Sequence, residues 1–258
     1  MDAVEKLKQL FNKKKIKLTK SGDHAILSVL MFACKKGKSK VLIQDQGGWL
    51  TYRDYPKKAK LEKIELKTNY GLLDLEDLKQ KADDKSILLV NSLNGYFSEQ
   101  PMEEILRICT EKNCLVVNDA SGSVGTELAL IGDIILCSFG KHKPINLYYG
   151  GCIAFDNGEF EGEFDNSKLE ELNEELDKIF TRLQEWENIN NKIKQELKDF
   201  EIIHPESRGI NVIVKFSNDE EKEKIISYCL KNNYQYTMCP RYIRVNCDAV
   251  SIEVKRII

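Results

Sequence analysis

Proline is scarce in this chain, five in 258 residues, and arginine supplies only seven of the 39 basic residues. No run of about 18 apolar residues occurs, which excludes a membrane-spanning helix. Neither G-x-G-x-x-G nor G-x-x-x-x-G-K-[ST] is present, so the two commonest glycine-rich nucleotide cradles are absent. Eight cysteines (Cys34, Cys109, Cys114, Cys137, Cys152, Cys229, Cys239 and Cys247) form no C-x-x-C pair, and no metal site is expected. A formal charge of −2, from 39 basic and 41 acidic residues, leaves no general basic field for nucleic acid or for anionic lipid. The N-terminal stretch MDAVEKLKQLFNKKKIKLTK is charged and amphipathic, unlike a secretory signal. The cysteines therefore read as reduced thiols in a cytoplasmic protein.

What is present is enough for a real core: 42% apolar residues beside 31% charged. From residue 20 to about 156, short apolar runs alternate with amphipathic stretches. Strands are predicted at 41–45, 61–66, 86–91, 114–119, 133–139 and 151–155, with helices at 24–36, 75–82 and 101–113. The runs SILLV, CLVV and DIILC are continuous, as in strands buried on both faces. The spacing predicts an α/β fold with a doubly wound, mostly parallel sheet. After Asn157 the pattern changes. Residues 167–199 carry apolar side chains every three or four positions, a long helix opened by a Ser167–Glu170 capping box. A strand at 210–216, a helix at 220–233 and a strand at 242–246 then make a small C-terminal α+β domain. The expected division is 1–157, with an N-terminal helix over 1–20, then a connecting helix over 158–200, then 201–258.

In open α/β sheets ligands bind beyond the carboxyl ends of the strands. The residues at those ends are Asn91 after SILLV, Asp119 after CLVVN, and Ser138 after DIILC, followed by Phe139, Gly140, Lys141, His142 and Lys143. Ser21, Gly22 and Asp23 open the first long helix, where backbone N–H groups can meet a phosphate. A helix cap, a turn-capping carboxylate and surface lysines would each be ordinary alone. Together they suit one cofactor, pyridoxal 5'-phosphate, which needs a Schiff-base lysine, an acid for its ring nitrogen and a cradle for its phosphate.

The stretch 20–155 resembles fold-type I pyridoxal-phosphate enzymes, and within them the DegT/DnrJ/EryC1/StrS aminotransferases. That family carries Ser-Gly-Thr, Asp-Ala-Ala and Ser-Phe-x-x-x-Lys ahead of Gly-Gly. Here the same stations read Ser21-Gly22-Asp23, Asp119-Ala120-Ser121 and Ser138 to Lys143 ahead of Gly150-Gly151. Asp23 and Gly122 depart from the pattern. The resemblance implies a large domain like that of the pyridoxal-phosphate transferases. It also implies Lys143 as the Schiff-base residue with Lys141 as the fallback, Ser138 on the phosphate and Trp49 on the cofactor ring. Arg241 or Arg244 is implied as the partner of a substrate carboxylate, since a guanidinium fork suits that job. The expected protein is a homodimeric aminotransferase for a small amino or keto substrate. A lyase or desulfurase using the same cofactor, or an inactive homologue kept as a binding module, are the alternatives.

Overall fold

A computed structural model of the chain describes residues 1–257. Seven strands form one sheet: β1 (Lys15–Thr19), β2 (Lys40–Gln44), β3 (Glu62–Leu66), β4 (Ser86–Asn91), β5 (Leu115–Asp119), β6 (Ile134–Ser138) and β7 (Gly151–Phe155). Their order is β1-β7-β6-β5-β4-β2-β3. The five strands from β6 to β3 run parallel, while β7 and β1 are antiparallel to their neighbours. The chain reverses its direction of travel across the sheet between β2 and β4.

The continuous apolar runs have a direct cause, because alternate residues meet different helices. Val41, Ile43, Ile87, Leu89, Val117 and Leu136 pack with α2 (Gly22–Lys35) and α3 (Thr51–Lys58). Leu42, Leu88, Val90 and Val116 pack with α4 (Leu75–Lys81) and α5 (Met102–Glu111) on the opposite face. Ile135, Cys137, Cys152 and Ala154 meet α1 (Ala3–Phe11) and α6 (Leu169–Asp177) there as well. The predicted doubly wound sheet is present.

Three local expectations are corrected. The segment 1–20 is not one helix: α1 stops at Phe11, Asn12 turns left-handed (φ 50°), and residues 15–19 become strand β1. Alternation in KIKLT fits an edge strand better than another helical turn. The long helix is broken at Lys178 into α6 and α7 (Ile179–Glu196). Glu175 marks the break. Its carboxylate takes Lys178 Nζ at 2.8 Å, Arg182 Nη2 at 3.0 Å and the amide of Asn146 at 3.3 Å. Burial alone would raise this carboxyl, but Lys178 and Arg182 hold it below its usual range.

The third correction concerns residues 242–246, which form no strand. The small antiparallel sheet is β8 (Val212–Lys215), β10 (Ala249–Ile252) and β9 (Tyr236–Cys239) in that order, with α8 (Asp219–Lys231) between β8 and β9. Residues 241–245 instead make a turn, closed by Arg241 N–H to the Val245 carbonyl (2.7 Å) and Arg244 N–H to that of Arg241 (2.8 Å). That turn docks on the loop after β2. Gly47 N–H donates to the Tyr242 carbonyl at 2.6 Å, and the Tyr242 hydroxyl donates to the Gln44 carbonyl at 3.1 Å. All eight cysteines are free thiols, six of them buried, with Cys34 and Cys247 half-buried. Among the described residues no helix is long and apolar enough to cross a membrane.

Candidate active site

A cleft of about 290 Å³ lies at the carboxyl ends of β5 and β6 and the start of α2. Ser21, Gly22, Asp23, Trp49, Asp119, Ser138, Lys141 and Lys143 all line it, joined by Ser121, Cys137 and Gly140. Eight of the residues expected from sequence therefore meet in one place, drawn from four separate segments.

Each is positioned by a local cause. Ser21 caps α2, its Oγ accepting the His24 N–H at 3.1 Å. Gly22 is small because the chain passes so close to β6. A Cβ there would lie 2.5 Å from Ser138 Cβ and 2.9 Å from its Oγ. Ser138 is held in turn by its own amide, which donates to Ser121 Oγ at 2.8 Å. The serine hydroxyl and the positive end of a 14-residue helix thus face one small space. Asp23 does not point its charge into that space: its Oδ1 accepts Trp49 Nε1–H at 2.8 Å and the Thr51 hydroxyl at 3.2 Å. The carboxylate that departs from the family's pattern is spent on fixing the tryptophan.

Asp119 is 6% exposed. Its Oδ1 accepts the Ser121 N–H at 3.0 Å and its Oδ2 the Tyr52 hydroxyl at 2.6 Å. Burial, and then the Asp119 charge, push the Tyr52 phenol well above its ordinary value, so it remains a donor. Tyr52 is a site residue that the sequence reading missed. The signal was present in GGWLTY, three residues after Trp49, but no spacing links position 52 to 119.

Lys143 is half-buried, its amine 5.2 Å from the Trp49 ring and 5.6 Å from the Tyr96 ring. Burial favours its neutral form, yet facing Tyr96 and Asp119 outweigh that and hold the amine above its usual range. Lys141 is exposed and lies 5.8 Å from the Tyr148 ring. The lysine loop is tied down by Arg182, which donates to the Pro144 carbonyl, and by Glu175 through Asn146. The acidic α6–α7 segment thus anchors the loop. His142, left-handed at φ 59°, has its imidazole pKa lowered by burial and by Lys141, Arg256 and Lys255.

Three expected residues lie outside the cleft lining. Asn91 spends its Oδ1 on the Leu93 amide at 3.1 Å, while its own amide donates to Gln44 Oε1. Arg241 is exposed. Arg244 is 2% exposed and faces Glu253 with two nitrogens, Nε to Oε1 at 3.0 Å and Nη2 to Oε2 at 2.7 Å. Its fork is occupied within the small domain. Among the described residues no cluster of metal-ligating side chains occurs.

Two changes test this construction. Gly22→Ala forces Ser138 aside at a cost of about 1–3 kcal/mol; cofactor titration monitored by absorbance should show weakened binding with the protein still folded. Glu253→Gln strands Arg244, Lys255 and Arg256 around a neutral amide, and loss of a buried ion-pair partner costs about 3–5 kcal/mol. Burial would raise the Glu253 carboxyl, but Arg244 and Lys255 pull it down to about 2. Because that folded value lies below the unfolded one, near about 4.3, its contribution is complete above that value. It is lost as pH falls towards 2. Chemical denaturation from neutral pH to acid should show a falling stability in the natural protein and a flatter profile in Glu253→Gln.

The model of the DegT/DnrJ/EryC1/StrS aminotransferase family matches residues 7–203, and that of the MJ1341 family C-terminal domain matches residues 180–258. A search of curated proteins finds no match. Among solved structures, 3-amino-5-hydroxybenzoic acid synthase is similar with a TM-score of 0.78 at 10% identity, over 98% of this chain and 84% of that one. Helicobacter pylori PseC, an aminotransferase of pseudoaminic acid biosynthesis, gives 0.78 at 13% identity, over 97% and 84%. E. coli GDP-4-keto-6-deoxy-D-mannose-3-dehydratase with bound hydrated PLP gives 0.75 at 13%, over 97% and 86%. At these identities the likeness establishes a shared fold.

Proposed function

Since the chain belongs to the DegT/DnrJ/EryC1/StrS aminotransferase family, we propose that it transfers amino groups to a small keto substrate using pyridoxal phosphate, with Lys143 as the Schiff-base residue. The observation that carries this reading is the cleft itself, which joins Asp119, Lys143, Ser138 and the α2 N-terminus. These residues fit the cofactor. The space between Gly22 and Ser138 would be filled by any Cβ at 22, and Asp119 is a buried carboxylate held by two donors.

When bound, pyridoxal phosphate supplies a carbonyl for the amine and a protonated ring that withdraws electrons from the substrate carbon. Asp119 keeps a proton on the ring nitrogen, because a buried positive charge needs an opposite one. Tyr52 and Ser121 keep that carboxylate aimed. Ser138 and the α2 amides would hold the phosphate, and Asp23, turned aside, fixes the indole of Trp49, the aromatic that would meet the ring. Lys143 would hold the cofactor through its amine and, with that amine free, would carry a proton to or from the substrate carbon. Arg244, locked by Glu253, takes no part in binding substrate. The reading goes with a homodimer, as the resemblance to the family implies, and with the cytoplasmic location expected of a chain rich in reduced thiols.

The test is a half-reaction on cofactor-loaded protein with a panel of amino donors. The expected result is one keto product per subunit with no ammonia released. Ammonia released in stoichiometric amount would move the protein to the lyase alternative.

A further inference from the structure

Three consecutive side chains at the start of α3 leave in three directions, as successive residues of a helix do, about 100° apart. The Thr51 hydroxyl donates to Asp23 Oδ1 at 3.2 Å, and the Tyr52 hydroxyl donates to Asp119 Oδ2 at 2.6 Å. The Arg53 guanidinium lies 5.0 Å from the centre of the Tyr242 ring. Two of these contacts end in the cleft, and the third ends on the C-terminal domain.

The loop that leads into this turn is held from both sides. Gly47 N–H donates to the Tyr242 carbonyl at 2.6 Å, while Gly95 N–H donates to the Gly47 carbonyl at 2.9 Å. Asn246 N–H donates to Gln46 Oε1 at 2.8 Å, and the Tyr242 hydroxyl donates to the Gln44 carbonyl at 3.1 Å. Gly48 lies between two tyrosines. A Cβ there would stand 2.8 Å from the Tyr242 hydroxyl oxygen and 2.9 Å from Tyr52 Cδ2. Tyr242 and Tyr52 are therefore kept apart by bare backbone, and the next residue along is Trp49, which lines the cleft. Packing this close passes a displacement on to its neighbours.

We infer that Tyr242 is a positioning residue for the cleft. Seated on Gly47 and Gly48 and faced by Arg53, it fixes the loop that aims Trp49 and keeps Tyr52 on Asp119. The inference rests on the reading that this cleft takes pyridoxal phosphate with Asp119 at the ring nitrogen. It adds to that reading a residue of the C-terminal domain that is no part of the cleft lining.

The experiment titrates the full chain with pyridoxal phosphate, followed by absorbance, in Tyr242→Phe, Tyr242→Ala and Gly48→Ala. The last two are also combined with Tyr52→Phe. Tyr242→Phe keeps the ring between Gly48 and Arg53 and should bind within about twofold of the natural protein. Tyr242→Ala and Gly48→Ala should each weaken binding by about tenfold, within the range of coupling between touching groups. In the Tyr52→Phe background the same changes should cost only about twofold, because the contact they act through is already gone. Fluorine NMR of the cofactor-free protein carrying 5-fluorotryptophan reads the loop directly. The Trp49 resonance should move in both variants. That of Trp186, buried in the core of the small sheet, should stay in place and report that the C-terminal domain is folded. Should Tyr242→Ala move Trp186 as well, Gly48→Ala, which leaves that domain's sequence intact, decides alone.

Losses that add fully to that of Tyr52→Phe, or an unchanged affinity with an unmoved Trp49 resonance, overturn the positioning role and leave the cofactor reading standing. Failure of the natural protein to bind pyridoxal phosphate overturns that reading and this inference with it.

Discussion

Lys143→Ala should abolish borohydride-trapped attachment of pyridoxal phosphate, whereas Lys141→Ala should leave the bond in place and weaken only cofactor retention. Both lysines line the cleft, so proximity alone does not separate them. Surroundings do. Lys143 projects between Trp49 and Tyr96 and is faced by the Asp119 charge. Lys141 is exposed on the rim, beside Tyr148. Lys143 is the more shielded of the two amines, half-buried between two aromatic rings where Lys141 is exposed. Loss of its proton-transfer role should lower turnover by about 10²–10⁴-fold. Absorbance during cofactor titration, with peptide mapping after reduction, measures attachment directly. Persistence of the trapped bond in Lys143→Ala, together with its loss in Lys141→Ala, would move the assignment by two residues.

Asp119→Asn should still bind pyridoxal phosphate and form the lysine bond, yet lose about two to four orders of magnitude in turnover. The substitution keeps size and removes charge, so the ring nitrogen loses the anion that holds its proton. A smaller structural cost accompanies it. Asp119 accepts from both Tyr52 and Ser121, and an amide offers one oxygen where the carboxylate offers two. One donor is left facing an NH₂ group, worth about 1–3 kcal/mol. Melting temperature and half-transamination measured on the same preparation separate the two effects. Equal rates in the two proteins would remove Asp119 from the chemistry. Tyr52→Phe makes a useful companion, since it withdraws only the second donor.

By itself the sequence determined the layered architecture and the floor of the cleft. Unbroken runs such as SILLV and CLVV can be satisfied only by strands covered on both faces, which is how β4 and β5 are packed. Asp119, Ser138 and Ser21-Gly22 were legible because they lie just at strand ends and a helix start, where chain-local geometry already says what points into a crevice. Local pattern failed at 242–246, where alternation normal for a strand is used instead to make a turn against the loop after β2. Only the tertiary structure decided which partners the charged groups take. Tyr52 reaches Asp119 across 67 positions, Glu175 holds the lysine loop from 29 positions away, and Glu253 claims Arg244 while Lys255 is left against Tyr96. Ion pairs and hydrogen bonds fall off over a few ångströms of space and take no account of separation along the chain. Which arginine is spent and which amine stays poised is therefore set by the packing of the two sheets' ends.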